Sequence, residues 1–332
     1  DTPSQIDLRS IKSAYIENNL QALIEILSNI SVDFTLCIYD AIKKRLIIAC
    51  DGAGIRKIYY STVNGNLIFS SSLRQLIKTL KEIKVLKENV LESIDIQALK
   101  IYLAYGISPI NRTLINGIRK LSQGFLAISE SNLMISSFRY AYGPVARSEK
   151  ELIADIYNLL AASIKARVGK SKINGLLLSG GIDSGIIASI LSRTYSPEKI
   201  LAANLSYDSY SEVDKAREVA EYLGIKLIEV KLPPSLNERY NIFKEALTFL
   251  DEPNVRGSFL PRYVALKTLR KYGKVVFLGD GGDELFLGYW MNYWNWYNSI
   301  KFSFLGRVPK SLHDVVIKLV KTLKSAETAE YI

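Results

Sequence analysis

The sequence predicts two modules: an α+β module over residues 1–145 and, over residues 146–332, an α/β module built on a doubly wound parallel sheet. Three observations carry that reading. From residue 173 onward, apolar runs of strand length (173–178, 200–205, 226–230 and 274–278) alternate with helical patterns after Asp183, Ser211 and Pro261, as in consecutive βαβ units. The first run opens into a tight polar loop, Ser179-Gly180-Gly181-Ile182-Asp183-Ser184-Gly185, and then into Ile186, Ile187, Ile190 and Leu191 at helical spacing. Before residue 140 the pattern changes to short strands separated by turn signals, with helices beside them.

In chain order, residues 4–29 read as one or two amphipathic helices with Ile11, Ala14, Tyr15, Leu23, Ile24, Ile26 and Leu27 on the apolar face. Strands follow at 34–39, 46–49, 57–61 and 67–70, with turns at Asp51-Gly52-Ala53-Gly54 and at the hairpin signal Asn64-Gly65. Residues 72–80 read as a helix, and the whole as an antiparallel sheet with helices on it. A helix over 95–105 is closed by Gly106, and a last hairpin joins 125–129 to 133–138. A linker lies near Tyr142-Gly143-Pro144. Ser148-Glu149-Lys150-Glu151 is a capping box. Its helix runs to about Val168, with Leu152, Ile156, Leu159, Leu160 and Ile164 expected to face inward and Gly169 at the end.

The loop after the first parallel strand is built to hold phosphate. Its glycines allow a sharp turn and close approach of the backbone. Ser179 and Ser184 offer hydroxyls, and the helix start offers N–H groups, a natural anion site. Asp183 beside a phosphate calls for a cation between them, which suggests Mg²⁺. The loop lacks the Lys-Ser/Thr of a P-loop. A second such stretch, Gly279-Asp280-Gly281-Gly282-Asp283-Glu284, follows the strand at 275–278; Glu284 stands where a dinucleotide fingerprint needs Gly. Ligands of open parallel sheets sit outside the carboxyl ends of the strands. Asp183 and Asp283 are therefore expected to face one phosphate ligand and its Mg²⁺ from two loops.

Ser-Gly-Gly-x-Asp-Ser resembles the pyrophosphate-binding loop of the ATP pyrophosphatases. Together with residues 279–289 it resembles the synthetase domain of the asparagine synthetase family, which includes the β-lactam synthetases. The resemblance reaches from about residue 33 to about residue 300. It implies an adenine nucleotide alpha hydrolase-like fold for residues 146–332. ATP would be held by Leu178, Ser179, Gly180, Gly181, Asp183, Ser184, Leu205, Leu278 and Gly279, with Mg²⁺ on Asp183 and Asp283. The backbone at Asn204-Leu205-Ser206 would line the adenine pocket with Leu178 and Leu278. Asp251-Glu252-Pro253 resembles the acidic turn before the family's substrate loop, and Arg256 just after it would neutralise pyrophosphate. Asp280 occupies the position held by Glu in asparagine synthetases and by Tyr in β-lactam synthetases, which implies a catalytic role toward an incoming amine. The family's catalytic Lys, in a later segment, has no counterpart placed here.

Residues 51–60, 69–76 and 113–124 also resemble the family, with Gln123 where it has Pro, and imply a degenerate Ntn-type glutaminase domain. Its amidotransferases begin with a nucleophilic Cys, whereas this sequence begins at Asp1 and has Cys50 where the family usually has Arg. The expectation is a shortened, glutaminase-dead module, as in the β-lactam synthetases, with Cys37 and Cys50 as core packing. The implied reaction is ATP-dependent amide formation. A carboxylate, aspartate by default, becomes an acyl-adenylate with release of pyrophosphate, and ammonia or an amine then attacks it. Three alternatives stand beside it: a β-lactam- or lasso-type cyclase using an internal amine, a tRNA-modifying ATP pyrophosphatase, and a nucleotide-binding remnant without turnover.

Composition narrows the field. The 332 residues are 48% hydrophobic, enough for real cores. No run approaches the roughly 18 apolar residues of a membrane span and no secretory signal is visible, so the expectation is a cytoplasmic enzyme. Two cysteines and the single His313 make neither a disulfide framework nor a zinc site. The net charge of +10 reads as a basic surface handling anionic small molecules rather than as a nucleic-acid footprint, because no RNA-binding motif accompanies it. The aromatic-dense run Tyr289, Trp290, Tyr293, Trp294, Trp296, Tyr297 reads as core or as an interface, which leaves a homo-oligomer open. Residues 301–324 read as a basic amphipathic helix.

Overall fold

The computed structural model describes residues 7–30, 32–129, 133–137, 147–168, 173–206, 213–253 and 258–289. Its contacts divide the chain into two compact units, residues 1–277 and 278–332. The aromatic run beyond Tyr289, the basic helix at 301–324 and Arg256 lie outside the described residues.

The first unit opens with α1 (Leu8–Ile16), capped by the Asp7 carboxylate on the Arg9 N–H, and α2 (Leu20–Ser28), capped by Asn19. Then come β1 (Thr35–Asp40), β2 (Arg45–Cys50), β3 (Tyr59–Val63), β4 (Asn66–Ser70), α3 (Leu73–Glu82) and α4 (Ile96–Tyr105). Gly106 ends α4 in the left-handed conformation that the sequence predicted for it. β5 (Arg119–Lys120), β6 (Phe125–Ser129) and β7 (Leu133–Ser137) complete this part. The strands form two antiparallel sheets, in the orders β1-β2-β6-β7 and β4-β3-β5, where the sequence predicted one.

Three apolar clusters show how they stack. Ile11, Ala14, Leu23 and Leu27 of α1 and α2 pack on Ile47, Ala49 and Leu126. On the opposite face, Ile48, Cys50 and Ala127 meet Ile58, Tyr60 and Leu121 from the second sheet. Behind that sheet, Tyr59 and Ile118 meet Leu73, Leu76 and Leu80 of α3. The order is helix, sheet, sheet, helix, with the period-2 alternation of each central strand feeding two cores.

This layering corrects the reading of one cysteine. Cys50 is buried between the sheets, and its thiol donates to the Ser122 carbonyl at 3.2 Å. Cys37 is exposed, because on β1 it faces away from α1 and α2. Cys50→Ala should therefore cost about 1–2 kcal/mol and Cys37→Ala less than about 0.5 kcal/mol in urea denaturation, with nucleotide binding unchanged in both. Equal costs would contradict the layer assignment.

The second half of this unit starts with α5 (Glu149–Arg167), whose N-terminus carries the predicted capping box between Ser148 and Glu151. Then follow β8 (Asn174–Leu177), α6 (Ile182–Thr194), β9 (Ile200–Ser206), α7 (Val213–Leu223), β10 (Lys226–Lys231), α8 (Leu236–Leu247), α9 (Phe259–Leu269) and β11 (Val276–Phe277). The four strands are parallel, in the order β10-β9-β8-β11. α8 was not expected; the last crossover carries two helices where the sequence reading had one. α5 differs too. Ile164 is buried in the core under β8 and Leu160 partly so, but Leu152, Ile156 and Leu159 are exposed, Leu159 at 70%. Helical spacing marks an apolar face and does not say how much of it finds a partner. No described helix is long and apolar enough to cross a membrane.

The two halves of the first unit are joined at the turn between α8 and α9. The Lys120 ammonium at the end of β5 reaches both Glu252 carboxylate oxygens, at 3.0 and 3.2 Å, and the Tyr59 hydroxyl donates to the same carboxylate at 3.2 Å. The Lys120 and Glu252 side chains are 10% and 8% exposed. Burial, with the Glu252 and Asp251 charges, pushes the Tyr59 phenol well above its ordinary value, so it stays a donor. Burial also lowers Lys120, against the opposing pull of Glu252. Next door, Asp251 accepts from the Ser72 hydroxyl at 2.9 Å and the Arg74 N–H at 3.3 Å, at the N-terminus of α3. Removing one partner of a buried ion pair typically costs about 3–5 kcal/mol.

Candidate active site

The strand order places β8 beside β11, and the chain order reverses between them. In an open α/β sheet that reversal opens a crevice at the carboxyl edge. β8 ends there, and its last contact is made by Leu178, a buried residue. The Leu178 N–H bonds the Ala203 carbonyl at 2.9 Å, and its own carbonyl accepts from the Asn204 side-chain amide at 2.8 Å. The loop thus leaves the sheet from a pinned position.

Residues 179–184 then hold themselves together. The Ser179 N–H donates to the Ser184 hydroxyl oxygen at 3.2 Å, and the two hydroxyls lie 3.0 Å apart. The Gly181 N–H donates to the Ser179 hydroxyl and the Ser184 hydroxyl to the Gly181 carbonyl, both at 3.2 Å. Ser184 is 5% exposed. Its hydroxyl was expected to face a ligand; instead it braces the loop, since it sits in the first turn of α6 with the loop carbonyl in reach. Ser179 is exposed, and Asp183 is half-buried in the same first turn. No side chain caps α6, whose N-cap is Gly181. Its first N–H groups therefore remain as donors for an anion.

Gly180 explains the tightness. Its φ is +83°, and a Cβ added there would lie 2.6 Å from Lys215 Cβ and 2.7 Å from the Ala216 nitrogen. The first turn of α7 is thus pressed against the loop. Leu205, half-buried on β9, stands at the same strand end. The structure therefore brings together Leu178, Ser179, Gly180, Gly181, Asp183, Ser184 and Leu205.

Leu278, Gly279, Asp280 and Asp283 belong to the second unit. There Gly281 adopts φ +96° ahead of α10 (Gly282–Phe286), and the chain turns back so that the Gly288 N–H bonds the Asp283 carbonyl at 2.9 Å. The Asp283 carboxylate lies over the bare Cα of Gly288, where a Cβ would collide with it. The Tyr289 hydroxyl donates to Glu284 at 3.2 Å. Asp280 is exposed.

Two features escaped the sequence reading. Asn204 was read for its backbone, yet its side chain pins Leu178, and its Oδ1 is buried without a partner. The signal was present: one amide in the apolar run Ile200-Leu201-Ala202-Ala203-Asn204-Leu205. The packing of α7 on Gly180 joins residues 35 positions apart and left no local trace.

The family model described as asparagine synthase matches residues 155–331, and that of a glutamine amidotransferase domain matches 14–140. The chain belongs to the asparagine synthase family. Among its relatives is asparagine synthetase [glutamine-hydrolyzing] 1 of Bacillus subtilis, 28% identical over 244 residues that make up 73% of this chain and 37% of that protein. A putative asparagine synthetase [glutamine-hydrolyzing] of Mycobacterium tuberculosis is 29% identical over 273 residues, 80% of this chain and 41% of the relative. The chain thus spans well under half the length of these relatives. Among solved structures, a glutamine-dependent NAD⁺ synthetase of Acinetobacter baumannii in complex with ADP aligns with TM-score 0.33 and 14% identity, over 87% of this chain and 68% of that one.

Proposed function

We propose that this asparagine synthase family member is an ATP-dependent amide ligase that activates a carboxylate as its acyl-adenylate, releasing pyrophosphate, and then passes the acyl group to ammonia or an amine. The observation that carries the proposal is the 179–184 loop: a pinned strand end, a glycine at φ +83° and an uncapped helix N-terminus, set beside the reversal of strand order. By the family default the carboxylate is aspartate.

In this reading the loop N–H groups and the Ser179 hydroxyl bind the β- and γ-phosphates and stabilise the leaving pyrophosphate. Leu178, Leu205 and Leu278, with Gly279, hold the adenine. Arg256 adds charge to the phosphate site. Asp280 accepts the proton of the attacking amine. Asp183 and Asp283 are hard oxygen donors of the kind Mg²⁺ takes, one or two carboxylates together with substrate phosphates. Mg²⁺, when bound, supplies charge neutralisation on the triphosphate. Such a site needs no protein cage, and among the described residues no cluster of three metal-ligating side chains is present.

The test is a pyrophosphate-release screen with Mg-ATP across pairs of carboxylates and amines. Release that requires both a carboxylate and Mg²⁺, with AMP as the second product, is the expected result. Release of ADP and phosphate, or none with any pair, would overturn the proposal. The mass of the product separates an external amine from an internal one, which would give a ring.

A further inference from the structure

The Asp251–Glu252 turn connects α8 to the segment that leads into α9, and both of its carboxylates are engaged by the N-terminal half of the chain. Glu252 is held by Lys120 on both oxygens, by the Tyr59 hydroxyl at 3.2 Å, and more loosely by Lys57 at 3.6 Å. Asp251 is held by Ser72 and by the Arg74 N–H, while the Arg74 guanidinium donates to the Leu250 carbonyl at 3.3 Å. The donors come from β3 and the residue shortly before it, from β5, and from the N-cap and first turn of α3, so the turn is fixed from two directions.

A buried ion pair is a poor way to gain stability, since apolar residues of similar volume often do as well or better. What a multiply bonded pair does supply is a defined position. The position fixed here matters to the nucleotide loop. Ala265 and Leu269 of α9 are buried against Leu201, Ala203 and Val230 of the parallel sheet. Leu269 and Val276 fill the space over Gly175 of β8, where a Cβ would lie 3.3 Å from Leu269 and 2.9 Å from Val276. β8 is the strand that ends in the loop. The end of α8 beside the turn packs on α9, with the Phe249 ring 5.9 Å from that of Tyr263 and Glu245 bound by the Tyr263 hydroxyl and Lys267; a shift of the turn therefore reaches the strand under the phosphate site through a packed helix, and packed interiors transmit such shifts.

We propose that the N-terminal half is a positioning element of the ligase, with Lys120 as its positioning residue: by holding Glu252 it sets the 250–253 turn and, through α9, the strand that carries the 179–184 loop. This rests on the function proposed above, and the experiment separates the two. Lys120→Met, Lys120→Arg and Tyr59→Phe are made in the full chain. Each is examined by amide hydrogen exchange over 249–253 and 176–185, by thermal unfolding, and by ATP–pyrophosphate exchange in the presence of the carboxylate substrate.

Lys120→Met is expected to speed amide exchange in both segments and to lower kcat at least about tenfold, in line with the sensitivity of catalysis to ångström-scale misplacement. KM for ATP should change less than kcat, because the function proposed above holds the adenine by backbone groups that Lys120 does not touch. Lys120→Arg should recover most of the loss. Tyr59→Phe, which keeps the ring packing, should show the same changes in smaller measure and serves where Lys120→Met does not fold. A lower unfolding midpoint with unchanged amide exchange at 176–185 and unchanged kcat would overturn the proposal and leave a purely structural pair. A wild-type chain with no ATP–pyrophosphate exchange would instead overturn the function, and the hydrogen-exchange comparison would still decide the role of Lys120.

Discussion

Asp183→Asn and Asp283→Asn are each expected to lower Mg-dependent ATP–pyrophosphate exchange by at least about a hundredfold, the loss typical when one element of transition-state charge stabilisation is removed. The argument begins with repulsion. A triphosphate on the 179–184 loop meets the Asp183 carboxylate in the first turn of the same helix, and such a pair of anions opposes binding until a cation intervenes. Asp283 comes shortly after β11, which is hydrogen-bonded to β8 in parallel, and the proposed function gives it the same ion as Asp183. Asn keeps the shape and removes the charge. At Asp283 that matters, because the carboxylate packs on Gly288 and a larger change would disturb the turn. Calorimetry with Mg-ATP and with AMP alone provides the control: Mg-ATP affinity falls, while metal-free AMP binding survives on adenine contacts. Full activity in Asp283→Asn would remove that residue from the site.

Gly180→Ala should be nearly as damaging by a different route. The substitution places a Cβ where φ is +83°, which costs about 1–2 kcal/mol for an L-residue. It also drives that carbon to 2.7 Å from the Ala216 backbone nitrogen, which cannot rotate away. Overpacking adds about 1–3 kcal/mol. The expected result in urea denaturation is a loss on the order of 2–5 kcal/mol, accompanied by loss of detectable ATP binding as α7 and the loop separate. Gly185→Ala is the contrast. It lies within α6 with nothing within 4 Å of the added carbon, so it should gain up to about 1 kcal/mol from helix propensity. Equal losses at both glycines would mean that the contact with α7 is not what makes Gly180→Ala costly.

Much of this was legible in the sequence because it is local. The capping box at Ser148, the left-handed Gly106 and the loop after β8 each depend on a handful of consecutive residues whose chemistry admits few conformations. What could not be read was what depends on pairing. β2 bonds to β6, some 80 positions away, and that register divides the strands into two sheets and leaves Cys37 uncovered. The same limit applies to Leu159, which has an apolar spacing but no described partner, and to Glu252, whose role depends on Lys120 132 positions earlier. In the site itself, residue types identified the loop, while the direction of the Ser184 hydroxyl was set by a carbonyl that the sequence does not place.

The two serine hydroxyls that hold each other have a thermodynamic consequence. A phosphate entering this loop finds the first N–H groups of α6 open, but at the Ser179 and Ser184 hydroxyls it must trade against bonds the loop already makes, and a one-for-one trade of hydrogen bonds returns little net free energy. Orthophosphate or sulfate, gaining little at the two hydroxyls, should bind more weakly than a nucleoside triphosphate. A nucleoside triphosphate brings additional adenine burial and a chelated cation to the exchange. Under the proposed function, selectivity for the whole cosubstrate over its fragments would follow from the resting loop.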